Sequence, residues 1–211
     1  MKYIFVTGAP GSKWSSVVKH INSSADLDQT DLVSERSYAH KDQYNGQPMH
    51  IGAYWDPGME FDFPENIESM HRDQIETIFD QPFSGPGVRI VKSHTLAHHI
   101  DFIHKTWPDS PVVLVYRADD ACFGWWVRCG GFNISYPTYH SYYRDLPNMA
   151  VQIDRQNADI LRAWHQYTGH EADNNYTLAN TLGIRLDSGV PIHDYASADI
   201  KVKILAPASK S

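Results

Sequence analysis

Cysteine is scarce in this chain: Cys122 and Cys129 are the only two among 211 residues. They stand seven apart in a stretch of helical character, a rise of ~10 Å that is too long for a disulfide. No Cys-x-x-Cys pair occurs, so metal clusters of that kind are not expected. Long apolar runs are missing too, and nothing approaches the ~20 residues that cross a bilayer. The apolar opening, residues 3–7, is too short for a signal peptide's apolar region, so a cytoplasmic chain is expected, with no membrane partner. Positive charge is in deficit: 18 Lys and Arg against 25 Asp and Glu give a net charge of −7. Duplex nucleic acid, which needs a basic face, is therefore not an expected partner, although a local basic pocket for a small anion is allowed. There is no repeat and no low-complexity tract.

What is present is a globular composition, 42% hydrophobic and 20% charged, read as a single domain over 1–211 with a sizeable core. Residues 3–7 read as a buried strand ended by Gly8, and Gly8-Ala9-Pro10-Gly11-Ser12 as a turn. Trp14, Val17, Val18 and Ile21 then share one helical face. Helices are expected over 64–79, 95–107, 119–129, 149–167 and 175–182, and strands over 88–91 and 111–116. Residues 133–147, rich in tyrosine, read as a loop, 200–205 as an edge strand and 206–211 as a tail. Strands alternating with helices predict an α/β fold with a mostly parallel central sheet flanked by helices.

A strand, a glycine turn and a helix start make an anion site, because free backbone N–H groups and the helix dipole converge on the turn. The nucleotide-binding pattern Gly-x-x-x-x-Gly-Lys-Ser/Thr, laid on Gly8, puts Lys13 on the second glycine, Trp14 on the lysine and Ser15 on the hydroxyl position. The cradle survives while its lysine is displaced. The strand over 111–116 runs into Arg117, where an ATP-hydrolysing protein would usually place a magnesium-holding Asp. A fixed cation there suits a further phosphate. Between these elements, Lys92-Ser93-His94 ends the intervening strand, with Lys92 able to neutralise charge and His94 able to take a proton from a hydroxyl.

Together these three segments resemble the sulfotransferases that use 3′-phosphoadenosine-5′-phosphosulfate (PAPS). Thr7 to Ser16 is similar to their first loop, Lys92-Ser93-His94 to their Lys-Thr-His segment, and Val112 to Asp120 to their 3′-phosphate motif. The resemblance covers residues 3 to 126. It implies a P-loop-type three-layer fold and transfer of a sulfonate from PAPS to a hydroxyl or amine of a small-molecule acceptor, without a metal. Gly8, Ala9, Pro10, Gly11, Ser12, Lys13, Trp14, Ser15, Ser16 and Arg117 would bind the donor; His94 would act as base, with Lys13 and Lys92 stabilising charge. The family's loop lysine falls on Gly11, and its serine eight residues after the arginine falls on Trp125. The alternatives are a P-loop nucleotide or small-molecule kinase, and a degenerate P-loop scaffold that binds a partner.

Other residues carry less. His94 and His98 are one helical turn apart, but no His-Glu-x-x-His pattern or third ligand accompanies them. Tyr136, Tyr139, Tyr142 and Tyr143 either line an acceptor pocket or cover the core edge. Trp125, Trp126 and Trp164 read as core. Asp56 and Glu60 read as solvated loop charges, or as alternative bases by analogy with carbohydrate-type relatives.

Overall fold

The computed structural model describes residues 1–206; the expected tail beyond Ala206 lies outside the described residues. Five strands, β1 (Tyr3–Gly8), β2 (Arg89–Lys92), β3 (Val112–Tyr116), β4 (Gly169–Ala172) and β5 (Lys201–Leu205), form one open sheet in the order β2-β1-β3-β5-β4. The helices are α1 (Trp14–Ile21), α2 (Arg72–Asp80), α3 (Ile100–Thr106), α4 (Asp119–Arg128), α5 (Pro137–Tyr143), α6 (Leu146–Gln166) and α7 (Asn175–Leu182). None is long and apolar enough to cross a membrane among the described residues.

All six residues of β1 are buried, as a central parallel strand requires. Its side chains alternate between two cores: Ile4 and Val6 pack with the apolar faces of α1 and α7, Tyr3 and Phe5 with α2, α3 and part of α6. Helices thus cover both faces of the sheet. β1 pairs in parallel with β2 and with β3, in a register that sets Val6 beside Lys92 and Gly8 beside Val115. The turn after Gly8, His94 and Arg117 therefore leave the sheet at one edge.

The sheet is mixed, and this corrects the expectation of a mostly parallel one. β5 runs antiparallel to both its neighbours, β3 and β4, and is an interior strand instead of an edge. Its alternating Lys-Val-Lys-Ile-Leu pattern suggested one solvated face. Lys203, however, is buried, and its ammonium donates to the carbonyls of Trp164 (2.5 Å) and Tyr167 (2.9 Å) at the end of α6. A cation at a helix C-terminus complements the dipole, so a lysine letter here marks a satisfied interior contact. β4 escaped the reading because Gly-His-Glu-Ala carries no apolar alternation. The expected loop 133–147 contains α5, whose Tyr139 and Tyr143, one turn apart, are both buried. The helices expected over 64–79 and 95–107 are each split, with 3₁₀ turns at Ile67–Ser69 and Thr95–His99 before α2 and α3.

Candidate functional site

The turn between β1 and α1 is held open by its backbone. Ser12 N donates to Ala9 O at 2.9 Å, Gly11 has φ +81° and Lys13, the residue before α1, has φ +64°. The N–H groups of Gly11, Lys13, Trp14 and Ser15 donate to no backbone carbonyl among the described residues. Ser12 is fully buried and its Oγ has no hydrogen-bond partner. Gly11 is pressed against α4: a Cβ there would lie 1.8 Å from the Cys122 carbonyl oxygen. No side chain fits at position 11 without moving the turn or α4.

On one flank of the turn, His94 is buried, with Nδ1 2.7 Å from Gly8 O and 3.1 Å from Trp14 Nε1. One nitrogen cannot serve both. The shorter contact favours a proton on Nδ1, which leaves the Nε2 lone pair as a potential base. Burial lowers the His94 pKa to about 4, opposed by the Gly8 carbonyl. His50 lies beside it: Nε2 is 2.8 Å from Gly52 O, and Nδ1 accepts the Ser15 hydroxyl at 2.8 Å. Burial, then the neighbouring Lys92, pushes His50 well below its ordinary value.

Lys92 itself does not face the turn. It is fully buried, its ammonium donating to Ile51 O at 3.1 Å and lying 3.9 Å from Asp31 Oδ2. Burial lowers its pKa to about 8 against the pull of Asp31. The expected shared orientation of Lys92 and His94 required the strand to continue to position 94. Instead, β2 ends at Lys92 and His94 has helical dihedrals, φ −65° and ψ −41°.

On the other flank, Arg117 donates from Nη1 to Ala121 O (2.9 Å) and Gly11 O (3.5 Å). Its buried Nε has no hydrogen-bond partner and lies 3.6 Å from Asp199 Oδ2. Lys13 donates to Ala198 O at 2.7 Å and sits 4.7 Å above the Trp125 ring, which also meets Arg117 and Arg128. Burial and the adjacent Arg117 lower the Lys13 pKa. Trp125, read from the sequence as core, is half-exposed and serves as a platform for three cations.

Two spaces adjoin the turn, and Lys13, Ser16 and Trp125 line both. The inner cavity, walled by Trp14, Ser15, His50 and His94, measures about 50 Å³ and has room for a few waters. The outer cleft, bounded by His20, His193, Tyr195 and Ala198, measures about 440 Å³, within the usual ~300–1,000 Å³ of small-molecule sites. Of the expected site residues, Gly11, Lys13, Trp14, Ser15, Ser16 and His94 border the inner cavity. Gly8, Ala9, Pro10 and Ser12 shape the turn, Arg117 stands behind Gly11, and Lys92 is elsewhere.

Asp56 is not a solvated charge. It is fully buried and accepts from Tyr143 (2.6 Å) and Thr95 (2.9 Å), and burial raises its pKa to about 7 against those two donors. Glu60 pairs with Arg36 and Tyr38. His98 and His99 bind Asp159 and Glu68 separately, and no group of three or more metal-binding side chains forms among the described residues. His50 was missed because residues 22–63 carry no periodic signal. Comparison with known proteins finds no matching family model, no similar curated protein and no similar solved structure.

Proposed function

We propose that this chain is a P-loop-type protein of the sulfotransferase kind, which binds PAPS and moves its sulfonate to a hydroxyl or amine of a small acceptor. The observation that carries the reading is the convergence of three strand ends: the open turn after β1, His94 2.7 Å from Gly8 O, and Arg117 reaching Gly11 O. The orphaned polar atoms of this edge fit an anionic donor. Ser12 Oγ and Arg117 Nε are buried and unpartnered, and four backbone N–H groups face no carbonyl. The outer cleft has the volume for the nucleoside part.

Bound PAPS supplies the activated sulfonate. His94 takes the acceptor proton at Nε2 as the acceptor oxygen or nitrogen bonds to sulfur and the sulfur–phosphate oxygen bond breaks. Its low pKa keeps it neutral at pH 7, and equally makes it a weak base. The turn's N–H groups and the Lys13 ammonium offset the charge developing on the leaving phosphate. Arg117 meets the 3′-phosphate, and no metal takes part. Lys92 is left out of the chemistry: from beside Asp31 it sets the field at His50.

A kinase reading has less support, because position 14 is Trp14 where the phosphate lysine belongs and β3 leads into Arg117. The packing of Gly11 on α4 and the 50 Å³ inner cavity favour, as second reading, a scaffold that binds the nucleotide without turnover. Thermal-shift titration separates the three. Adenosine 3′,5′-bisphosphate is expected to raise Tm without divalent metal, and sulfonate transfer from PAPS to a panel of alcohols, phenols and amines should follow. A larger shift with ADP and Mg²⁺ gives the kinase reading; binding with no transfer to any acceptor gives the scaffold.

A further inference from the structure

The two cations that an anion at the turn would need are already engaged, and by consecutive residues. Lys13 Nζ is held by the Ala198 carbonyl at 2.7 Å, and Arg117 Nε faces the Asp199 carboxylate at 3.6 Å. The segment presenting them is a fixed turn. Asp194 Oδ1 accepts from Ala196 N and Ser197 N, Ala198 N and Ile200 N both donate to Tyr195 O, and Tyr195 and Ile200 are buried. Asp199 stands out within it. Its φ is +58°, a conformation in which only glycine, asparagine and aspartate are at ease, and its side chain is 74% exposed. The turn backbone thus aims a carboxylate at Arg117, yet nothing but Arg117 holds that carboxylate among the described residues. Arg117 is in the opposite condition, with a side chain 12% exposed and a buried Nε that lacks a hydrogen bond.

We propose that Asp199 is a resident competitor of the anion site: its carboxylate, with the Ala198 carbonyl, occupies Arg117 and Lys13 until a phosphate or sulfate ester displaces it. The proposal rests on the reading of the turn as an anion site. The exchange needs only side-chain rotation. The Asp199 carboxylate swings into water, which already surrounds it, while the arginine turns its unpaired N–H to the ligand. Lys13 leaves Ala198 O and the face of Trp125, at the border that Lys13, Ser16 and Trp125 form between the inner cavity and the outer cleft. The resident carboxylate keeps two adjacent cations from repelling one another in the free protein, and it sets a threshold that weakly charged ligands do not cross.

The test compares Asp199→Asn with the parent. Asparagine keeps the left-handed backbone and removes the charge; Asp187→Asn, at an exposed position, controls for net charge. Titration with adenosine 3′,5′-bisphosphate, followed by tryptophan fluorescence, is expected to show about two- to fivefold tighter binding for Asp199→Asn, the range for losing one exposed ion-pair competitor. Asp187→Asn should match the parent. The fluorescence change, which reports Lys13 leaving Trp125, should vanish in Trp125→Phe. Equal affinities in all three proteins overturn the competitor and leave the anion site standing. Equal tightening by both asparagine variants reduces it to net charge and overturns it as well. No binding of the bisphosphate by the parent or by Asp199→Asn overturns the anion site and the competitor together.

Discussion

The two flanks of the glycine turn are built from the same materials, basic side chains and aromatic rings, and differ in how far they are withdrawn from water. On the histidine flank, His94 and His50 are buried, and burial lowers the pKa of both. On the arginine flank, Arg117 and Lys13 border solvent, lean on the half-exposed Trp125 and meet Asp199. Desolvation takes charge from an imidazole, which can then exchange protons, while a guanidinium keeps its charge at any depth and can hold an anion. On the proposed function, one turn thereby joins a proton-transfer wall to an anion-binding wall.

The sharpest way to break the comparison is to push the flanks apart. Gly11 is the point where the turn meets α4, with φ +81° and no room for a Cβ beside Cys122 O. Gly11→Ala is expected to cost about 3–5 kcal/mol through backbone clash and strain, read as a lowered urea midpoint. Retained stability would mean that the turn does not rest on α4 as described. Next in size is His94→Ala, which should lower sulfonate transfer by about 10²-fold or more, the usual scale for a lost general base, with bisphosphate affinity nearly unchanged. Full turnover would move the base elsewhere, first to Asp56. Arg117→Ala should do the reverse, weakening the bisphosphate about tenfold or more, since a charged hydrogen bond contributes ~1.5–3 kcal/mol. An unchanged affinity in calorimetry would leave the anion wall without its main cation.

The contrast also shows which features a sequence can display. β1, β3 and the turn between β1 and α1 were legible because continuous apolar runs and glycine placement are local signals. The meeting of His94 and Arg117 at one edge was legible because each follows a strand of the same parallel set. The depth of each charge was not legible. Asp56 and Lys203 look like surface letters and are interior, paid for by Tyr143 and Thr95 in one case and by α6 carbonyls in the other. Trp125 looks like core and lies under cations at the rim. His50 reaches Ser15 from a segment without periodicity, so only the folded chain brings them together. Burial is a tertiary property, and pKa follows burial, so the chemistry of the histidine flank had no local signature.

The smallest expected effect tests that depth directly, through the acid limb of stability. His94 has a folded pKa of about 4, and His50 lies well below its ordinary 6.5. Between pH 6.5 and 4 the unfolded chain takes up protons that the folded chain refuses. The stability tied to these two groups is therefore complete above about pH 6.5 and is lost as pH falls. From pH 6.5 to 5 His94 contributes a loss of about 2 kcal/mol, at ~1.4 kcal/mol per unit, and His50 acts in the same direction. Asp56 acts the other way. Its folded pKa of about 7 exceeds the unfolded 3.8, so over the same interval the folded chain holds a proton that the unfolded chain lacks, and about 2 kcal/mol is regained. The His94 loss and the Asp56 gain roughly offset one another, and His50, with the likewise depressed His20 and His40, tips the balance to a net loss, read as a lower Tm at pH 5 than at pH 6.5. His94→Gln should flatten the fall, and Asp56→Asn should steepen it. Calorimetric scans at pH 6.5 and 5 read all three proteins; the same fall in each would mean that neither side chain is as deep as the comparison of the two flanks requires.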